Sequence, residues 1–532
     1  TVSLESIDGY GRAHDPLIGD AIRQDILEGR FKTFDQVAGG WDLYPWGNLY
    51  YWYGGWFSRY LQERYGMDAY AALWREFGAL SVLSPLDDVA FIRGRFSKVF
   101  ATKLDDAWSD FGRWMTPRVP IRIDPETLTA PGQYAALASS GHFLYWYDAA
   151  AGSVFRYDTS TRTTVRLFKT GYRVTRLDPS PDGTRMLVSA IAYDSDFSSL
   201  RVLLWDDASD SLSDLGTERW RDAVATWSLP FLTDIGQTAM EGSADRGTGI
   251  PGGTTVEPDG FPGKTGSPAS AMSGFATGSV GTTTAMKPGF VPPMLAIRTR
   301  GTMTDLVRVS ASVAGPAGIE PTVVTIIEGT EGYILSSPVI APAAAARSAD
   351  GDDSAGTPSG HPSRTGSTLW TAYVLVRENG KTGILRLGFD AWTLTDLSTL
   401  DIPPELQWIR YLSVDQEGIL RFSWNDSSLY RLAMMDGETL KWQSIPISGG
   451  IHEAVGAAGS VYYLARFSDG IAPGRLAVDD DSFGYIEAAA RWTSMAVPAP
   501  SPLPAAAGQH HTPLSSKLPG GTLEPLDRKS VV

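Results

Sequence analysis

Apolar side chains recur at helical spacing over the first 115 residues. Asp15 and Pro16 form a cap and first turn, after which apolar residues follow a 3.6-residue period. Four further stripes follow the same period. Two of these segments end at a glycine, Gly66 and Gly78. A third begins at Ser84–Pro85, and a fourth carries apolar and aromatic residues over Leu104–Met115. The pattern predicts an all-helical block over residues 1–116 and a linker over residues 117–132.

From residue 133 the hydrophobic period changes from 3.6 to 2, which is typical of short strands. Residues 134–168 read as four strands separated by turn residues. The same unit then recurs, with starts near Val174, Ala223, Tyr333, Ile409 and Ile451. The intervals from 174 to 223 and from 409 to 451 are 49 and 42 residues, close to one four-stranded blade. Residues 133–490 are therefore expected to form a β-propeller of about six blades.

Two longer intervals contain low-complexity inserts at residues 239–293 and 341–367, rich in Gly, Ser, Thr, Pro and Ala. Both follow the first strand of a blade, so they should leave from one face of the disc. Segments of this composition bury too little apolar surface to order themselves, and we expect both to be disordered. Residues 491–532 are similar and are expected to form a disordered tail. The predicted fold class is multidomain, an all-α subdomain followed by an all-β propeller.

Charge and missing residue types limit the chemistry of the chain. It has 45 basic and 60 acidic residues, a net charge of −15, which disfavours nucleic acid or an anionic membrane as partner and leaves cationic partners open. There is no Cys, and no two of the six His form a His-x-x-x-His pair. No apolar run approaches the roughly 20 residues of a membrane helix. We expect no cofactor or metal in this chain, no nucleic-acid partner and no membrane insertion of this segment.

The helical block carries a family resemblance. The stretch from Tyr51 to Leu61, the closing Tyr65-Gly66 and the early Glu5-Ser6 together resemble the C-terminal helical part of the peptidase MA-like (gluzincin) family. The resemblance implies that the His-Glu-x-x-His helix and a glutamate ligand stand upstream of Thr1. It therefore implies zinc in a full-length parent, which would be a zinc metallopeptidase, and it implies that the chain without that motif is inactive.

Three residues acquire candidate roles from this resemblance. Tyr51 matches the tyrosine that stabilises the tetrahedral oxyanion, and the alternative is an aromatic residue that only packs in a Trp- and Tyr-rich helix. Glu5 would contact and orient a metal-ligating residue without binding the metal itself, or it would lie on a helix surface. Arg12 would contact a substrate carboxylate, or hold a glycine-rich loop. No metal ligand is assigned within the chain.

A second resemblance lies in the propeller. The run Arg176-Leu-Asp178-Pro-Ser-Pro181-Asp182-Gly183 resembles the strand-and-turn signature of TolB-like and WD-repeat-like propellers. Pro181 fixes its own φ, and Asp182-Gly183 supplies a turn that requires positive φ. This signature specifies the architecture and leaves the function open.

Two functions follow as hypotheses. In the first, the chain is a fragment of an extracytoplasmic zinc-metallopeptidase-like protein from the periplasm or cell envelope of a bacterium, with its N-terminus truncated at Thr1 and no signal peptide visible. In the alternative, it is a non-enzymatic propeller of the bacterial envelope that binds a protein or peptide ligand on one of its faces.

Overall fold

Six helices precede the first strand within the described part of the chain. The computed structural model describes residues 11–498 except 41, 46, 79–87, 118, 124, 195–196, 216–219, 228–291, 301–302, 313–319, 331–332, 342–368, 379–380, 427 and 478–482. The helices are α1 (Pro16–Leu27), α2 (Phe34–Gly39), α3 (Leu49–Tyr65), α4 (Met67–Gly78), α5 (Asp88–Phe100) and α6 (Leu104–Met115). The expected cap is present, since Asp15 Oδ1 accepts the N–H of Leu17 at 2.9 Å. Gly66, with φ at +87°, ends α3 as expected.

The sequence pattern did not predict α2. Its N-terminus is a capping box, in which Thr33 Oγ1 accepts the N–H of Gln36 and Gln36 Oε1 accepts the N–H of Thr33. That Thr-x-x-Gln spacing was the available signal. The helix start expected at Ser84–Pro85 lies outside the described residues, and α5 is described from Asp88.

Aromatic side chains fill the core of the helical block. Phe57 packs against Trp108 and Phe111, with ring centroids 4.8 and 5.5 Å apart. Tyr53 is buried beside them and donates its hydroxyl to Asp25 at 2.6 Å. These aromatic residues account for the apolar stripes that the sequence showed.

The described strands form six antiparallel sheets, which confirms the β-propeller. Blades 1 to 3 are β2 (Tyr134–Ser140), β3 (Phe143–Asp148), β4 (Ser153–Asp158) and β5 (Thr163–Lys169); β6 (Arg173–Pro179), β7 (Arg185–Asp194), β8 (Phe197–Asp206) and β9 (Ser211–Asp214); and β10 (Trp220–Ala225), β11 (Met294–Arg300), β12 (Met303–Ser312) and β13 (Glu320–Ile327). Blades 4 and 5 start with β14 (Tyr333–Ile340), β15 (Leu369–Glu378), β16 (Lys381–Asp390) and β17 (Thr393–Leu400), and with β18 (Arg410–Val414), β19 (Leu420–Trp424), β20 (Arg431–Asp436) and β21 (Thr439–Gln443). Blade 6 contains β22 (His452–Ala457), β23 (Ser460–Phe467) and β24 (Gly470–Ala477).

A strand from the start of the propeller completes its last blade. Strand β1 (Glu126–Thr127) lies in the segment 117–132 that was expected to be a linker, and it pairs antiparallel with β24. Leu128 extends the contact by donating its N–H to Pro473 O at 2.8 Å. Blade 6 is thus built from both ends of the propeller sequence, which closes the ring and covers the edge of β24.

Two further strands extend blades 5 and 4. Strand β25 (Tyr485–Ala489) pairs with β21, and β26 (Trp492–Ser494) pairs with β17, so both blades have five strands. Strand β26 lies in the segment 491–532 that was expected to be a disordered tail. Such short strands leave little alternation in the sequence, because pairing with an existing edge stabilises them.

Both long inserts leave from the same face. In blade 3 the first strand ends at Ala225 and the second begins at Met294, and in blade 4 the first ends at Ile340 and the second begins at Leu369. We call the face where the six inner strands β2, β6, β10, β14, β18 and β22 begin the start face, and the face where they finish the end face. The inserts leave from the end face, as expected. The predicted disorder of residues 239–293 and 341–367 falls outside the described residues except at Pro292, Pro293 and Ala341. These three continue the ordered blades, since Thr226 donates its N–H to Pro293 O at 3.0 Å and Ala341 donates its N–H to Thr371 O at 2.9 Å.

Gly456, near the end of β22, packs closely against a buried ion pair and has no space for a side chain. A Cβ at this position would lie 2.6 Å from Arg421 Nη1 and 2.8 Å from Asp415 Oδ2, two partners of a buried ion pair. We expect Gly456→Ala to lower the free energy of unfolding by about 1–3 kcal/mol, because the added methyl group would overlap both partners of a buried pair and force them to shift. The measurement is urea denaturation. Gly171→Ala is the control, since its Cβ would meet nothing within 4 Å, and equal stability of the two variants would contradict the prediction.

Candidate functional site

Each of the six inner strands contains a β-bulge in which the register with the second strand of its blade shifts. In five of them a non-glycine residue of the bulge has positive φ. These are Ala136 (56°), Asp222 (52°), Ser337 (50°), Tyr411 (59°) and Glu453 (46°). A bulge frees backbone N–H groups and turns a side chain away from the regular pleat. The repeated bulges therefore shape the centre of the propeller.

Carboxylates on the inner strands accept the N–H groups of neighbouring blades. Glu453 Oε2 of blade 6 accepts the N–H of Leu137 in blade 1 at 2.9 Å. Asp178 Oδ2 of blade 2 accepts the N–H of Ala225 in blade 3 at 2.7 Å. Asp222 of blade 3 accepts the N–H of Ser337 in blade 4 at 3.2 Å. These bonds join adjacent blades through side chains, where no strand pairing is available.

A channel runs between the inner strands. Its central cavity has a volume of about 230 Å³ and is lined by residues of all six inner strands. A second cavity of about 140 Å³ lies at the end face, and its wall includes Trp227 and Glu417. The two cavities share wall residues, among them Asp178 and Ile340. The space is large enough for a side chain or a short peptide end.

Burial changes the protonation of two channel carboxyls. It raises the pKa of Glu453 to about 7, against the lowering effect of hydrogen bonds from the backbone of Leu137 and Ala136. It raises the pKa of Asp178 to about 6, against the N–H of Ala225 and the charge of Arg176. At pH 7, Glu453 is therefore about half ionised, whereas Asp178 is ionised in roughly nine molecules of ten.

Arg176 is the basic residue of the channel wall. Its Nη2 donates to Pro338 O of blade 4 at 2.7 Å, and its buried Nε has no hydrogen-bond partner among the described residues. Three carboxyls, Asp178, Asp222 and Glu453, share the wall with it. Acidic residues outnumber basic ones in the channel.

The turns at the end face are also acidic. Their acidic residues are Asp158, Asp182, Asp206, Asp207, Asp210, Asp390, Asp415, Glu417, Asp436 and Glu438. Arg185 and Arg421 pair with two of them, Asp206 and Asp415. Arg162 is the one exposed basic residue in the turns that the structure describes at this face. Of the acidic residues, Asp415 and Glu417 border the second cavity. The end face as a whole therefore favours cationic groups.

The residues singled out by the first resemblance lie elsewhere, in the helical block. Tyr51 lies on α3 and is partly exposed, and the guanidinium carbon of Arg12 lies 5.0 Å from its ring centroid. The structure thus brings these two residues together, while Glu5 lies outside the described residues. Their catalytic roles stay predictions. Within the described ranges, no group of three His, Cys, Asp or Glu side chains is arranged to hold a metal ion.

Sequence reasoning missed the channel residues. Arg176 and Asp178 stood inside the turn signature and were interpreted as architecture, whereas Asp222, Tyr411 and Glu453 were not singled out. A signal was present, since Tyr411 and Glu453 each follow a predicted unit start by two residues. The expected turn is confirmed, because Gly183 has φ at +69° and Asp182 Oδ1 accepts the N–H of Thr184.

No family model matches the chain. An uncharacterized protein of Treponema pallidum (strain Nichols) is 33% identical over 223 residues, which cover 40% of this chain and 20% of that protein. The chain thus matches about a fifth of the length of this relative.

The chain is similar to several solved structures at very low identity. TolB from Acinetobacter baumannii has 8% identity and a TM-score of 0.28, covering 65% of this chain and 64% of that one. The β-propeller domain of the trilobed protease from Pyrococcus furiosus has 10% identity and a TM-score of 0.29, covering 70% and 100%. Regucalcin from Agrobacterium tumefaciens has 8% identity and a TM-score of 0.30, covering 62% and 88%. At these values the likeness says nothing about function, and the propeller is established by the chain's own strand pairing.

The raised pKa of Glu453 predicts how the stability of the fold changes with pH. A carboxyl with a higher pKa in the folded than in the unfolded chain stabilises the fold at low pH, and that contribution is lost as pH rises from about 4.5 to about 7. We expect the unfolding free energy of Glu453→Gln minus that of the natural chain to rise by about 2 kcal/mol when the pH is raised from ~4.5 to ~7.5. Urea denaturation at both pH values measures the difference.

The matched control for this prediction is Glu438→Gln, because Glu438 is exposed in the turn between β20 and β21. Its difference from the natural chain should not change between the two pH values. Identical pH dependence of the Glu453 and Glu438 variants would show that burial does not hold the proton on Glu453.

Proposed function

We propose that this chain is a binding protein whose propeller takes the end or a side chain of a peptide or protein ligand into its channel from the end face. One observation carries the proposal: a cavity lined by all six inner strands opens beside a rim of turns. Ligands commonly bind where loops from several elements converge on a rigid scaffold. The bulges supply the polar wall of that cavity.

The chemistry of the wall favours a basic ligand. Asp178, Asp222 and Glu453 outnumber Arg176 inside the channel, and Asp415 and Glu417 border the cavity at the end face. A lysine or arginine side chain, or an N-terminal ammonium group, would meet acceptors in a poorly solvated space where charged hydrogen bonds are strong. Its positive charge would also keep Asp178 and Glu453 ionised. This preference agrees with the net charge of −15.

A steric plug tests the proposal. Thr175 occupies the bulge of β6, lines the channel and is exposed to it. We expect peptides selected from a random display library on the natural chain to be enriched in Lys and Arg. By calorimetry, Thr175→Trp should weaken their binding at least about tenfold, because the indole fills the cavity.

The control for the plug is Thr164→Trp, since Thr164 is exposed on the outer strand β5, away from the channel. This variant should bind the selected peptides as the natural chain does. Selected peptides without a basic bias, or binding that survives Thr175→Trp, would contradict the proposal.

A second candidate concerns a longer parent protein. We propose that the helical block is the C-terminal part of a zinc metallopeptidase-like domain whose metal ligands precede Thr1. The proximity of Arg12 to Tyr51 supports it, because both residues would face the same substrate. Zinc would then belong to the parent and not to this chain. The sequence upstream of Thr1 in the natural gene tests the candidate, and absence of a His-Glu-x-x-His motif there would refute it.

The location of the protein is also a proposal. An extracytoplasmic site, in the periplasm or cell envelope of a bacterium, follows from the two sequence resemblances. The described helices include none that is long and apolar enough to cross a membrane. Fractionation of cells that express the natural gene tests the location.

Metal analysis separates this chain from its proposed parent. We expect the purified chain to contain no stoichiometric zinc after dialysis against excess zinc, because no helical His pair is present to bind it. Mass spectrometry of the metal content measures this. One zinc per chain would contradict the assignment of the metal site to residues upstream of Thr1.

A further inference from the structure

Helix α1 docks on blades 5 and 6 through polar side chains at both of its ends. At the N-terminus, Asp15 Oδ1 accepts from Arg410 Nη2 of β18 at 3.0 Å. Beyond the C-terminus, Glu28 Oε1 accepts the N–H of Ser468, in the turn between β23 and β24, at 3.1 Å. Both propeller partners lie at the start face.

Gln24, between the two ends of α1, also bonds to the propeller. Gln24 Nε2 donates to Ser448 Oγ at 2.9 Å, and Gln24 Oε1 accepts the N–H of Gly449 at 2.7 Å. Both partners belong to the connection between β21 and β22. Gln24 is 1% exposed, and its Nε2 also donates to Glu28 Oε1 at 2.8 Å, so the buried amide connects the end of α1 to the propeller.

The joint has no shared hydrophobic core. The core cluster of the helical block contains residues between Ile18 and Met115, and the clusters of the propeller contain residues from Leu128 onward. None of the clusters among the described residues includes both blocks. Interfaces of this polar kind between domains allow relative motion, because directional hydrogen bonds rather than apolar burial hold them.

Asp20 and His452 form the centre of the joint. His452 Nε2 lies 2.8 Å from Asp20 Oδ2, and the two residues are 5% and 1% exposed. The titratable and charged groups around His452 come from four further places: Arg410 and Tyr411 on β18, Tyr430 before β20, Glu453 beside it on β22, and Arg466 on β23. Its Nδ1 and the hydroxyl of Tyr430 are buried without a partner among the described residues.

Burial lowers the pKa of His452, and the charges of Arg466 and Arg410 act in the same direction, against Asp20. A histidine whose pKa is lowered in the docked state favours docking above its usual value of about 6.5 and opposes it as pH falls below that value. The joint should therefore weaken on acidification.

We propose that the helical block is a detachable cap, which protonation of His452 releases from the start face of blades 5 and 6 while both blocks stay folded. The segment that follows α6 keeps the block tethered, so release is reversible and intramolecular. Release uncovers the beginning of β22, where the next residue, Glu453, lines the channel. The cap thus lies directly behind the proposed binding site.

Two backbone amides report docking directly, because their acceptors are side chains at α1. They are the N–H groups of Gly449 and Ser468. After correction for intrinsic exchange rates, we expect both to exchange hydrogen several-fold faster at pH ~5 than at pH ~7.5 in the full chain. The N–H groups of Arg466 and Leu215, which bond within the propeller, should stay protected.

A variant connects this effect to His452. His452→Gln should remove the pH dependence at Gly449 and Ser468, whereas His142→Gln, at an exposed turn, should leave it intact. Unchanged protection of the two amides at both pH values would overturn the proposal, as would simultaneous loss at all four amides or a pH dependence that survives His452→Gln. Should His452→Gln fail to fold, the four amides of the natural chain decide. No ligand is needed, so failure here leaves the channel proposal standing.

Discussion

The hydrogen bond from the N–H of Leu137 to the carboxylate of Glu453 joins the last blade to the first at the centre of the molecule. Strand β1 joins the same two blades at the outer edge, by pairing with β24. The ring is therefore closed both at its centre and at its outer edge. Without closure, the inner strands would have no fixed positions from which to line a channel, and the cavity would lose its shape.

The closure at the centre requires an unusual backbone. Glu453 has φ at +46°, and four other non-glycine residues on the inner strands have similar values. This conformation costs on the order of 1 kcal/mol for each L-residue, so packing and hydrogen bonding must offset it. The same bulges turn Asp222 and Glu453 toward neighbouring blades and into the channel wall. Assembly of the ring and the chemistry of its channel thus use the same side chains.

The helical block and the propeller differ in how they are stabilised. Each has its own apolar clusters, while carboxylate, amide and imidazole groups hold the joint between α1 and blades 5 and 6. His452 and Glu453 are consecutive on β22, one facing Asp20 and the other lining the channel. An event at either site therefore acts on the same short piece of backbone.

Much of this architecture could be predicted from the sequence. Spacing between units and the Asp182-Gly183 turn indicated the propeller, and removing the low-complexity segments restored the blade period. The strands β1, β25 and β26 could not be predicted, since two to five residues without alternation are stabilised only by the edge they extend. The channel residues were missed because a bulge interrupts the period-2 pattern where it would show which side chains face inward. Helix α2 was missed although its capping box was visible at Thr33 and Gln36.

The most direct test of the binding account is photo-crosslinking from inside the channel. Tyr411 lines the cavity, and replacing it by p-azidophenylalanine keeps the phenyl ring and puts a photoreactive azide in place of the hydroxyl. A random peptide pool is irradiated with this protein, and with a second one that carries the group at Tyr157 on β4 as control. The account predicts that peptides attached at position 411 are enriched in Lys and Arg over the pool, and that those attached at position 157 are not. Equal composition at both positions, or no attachment at position 411, would contradict it.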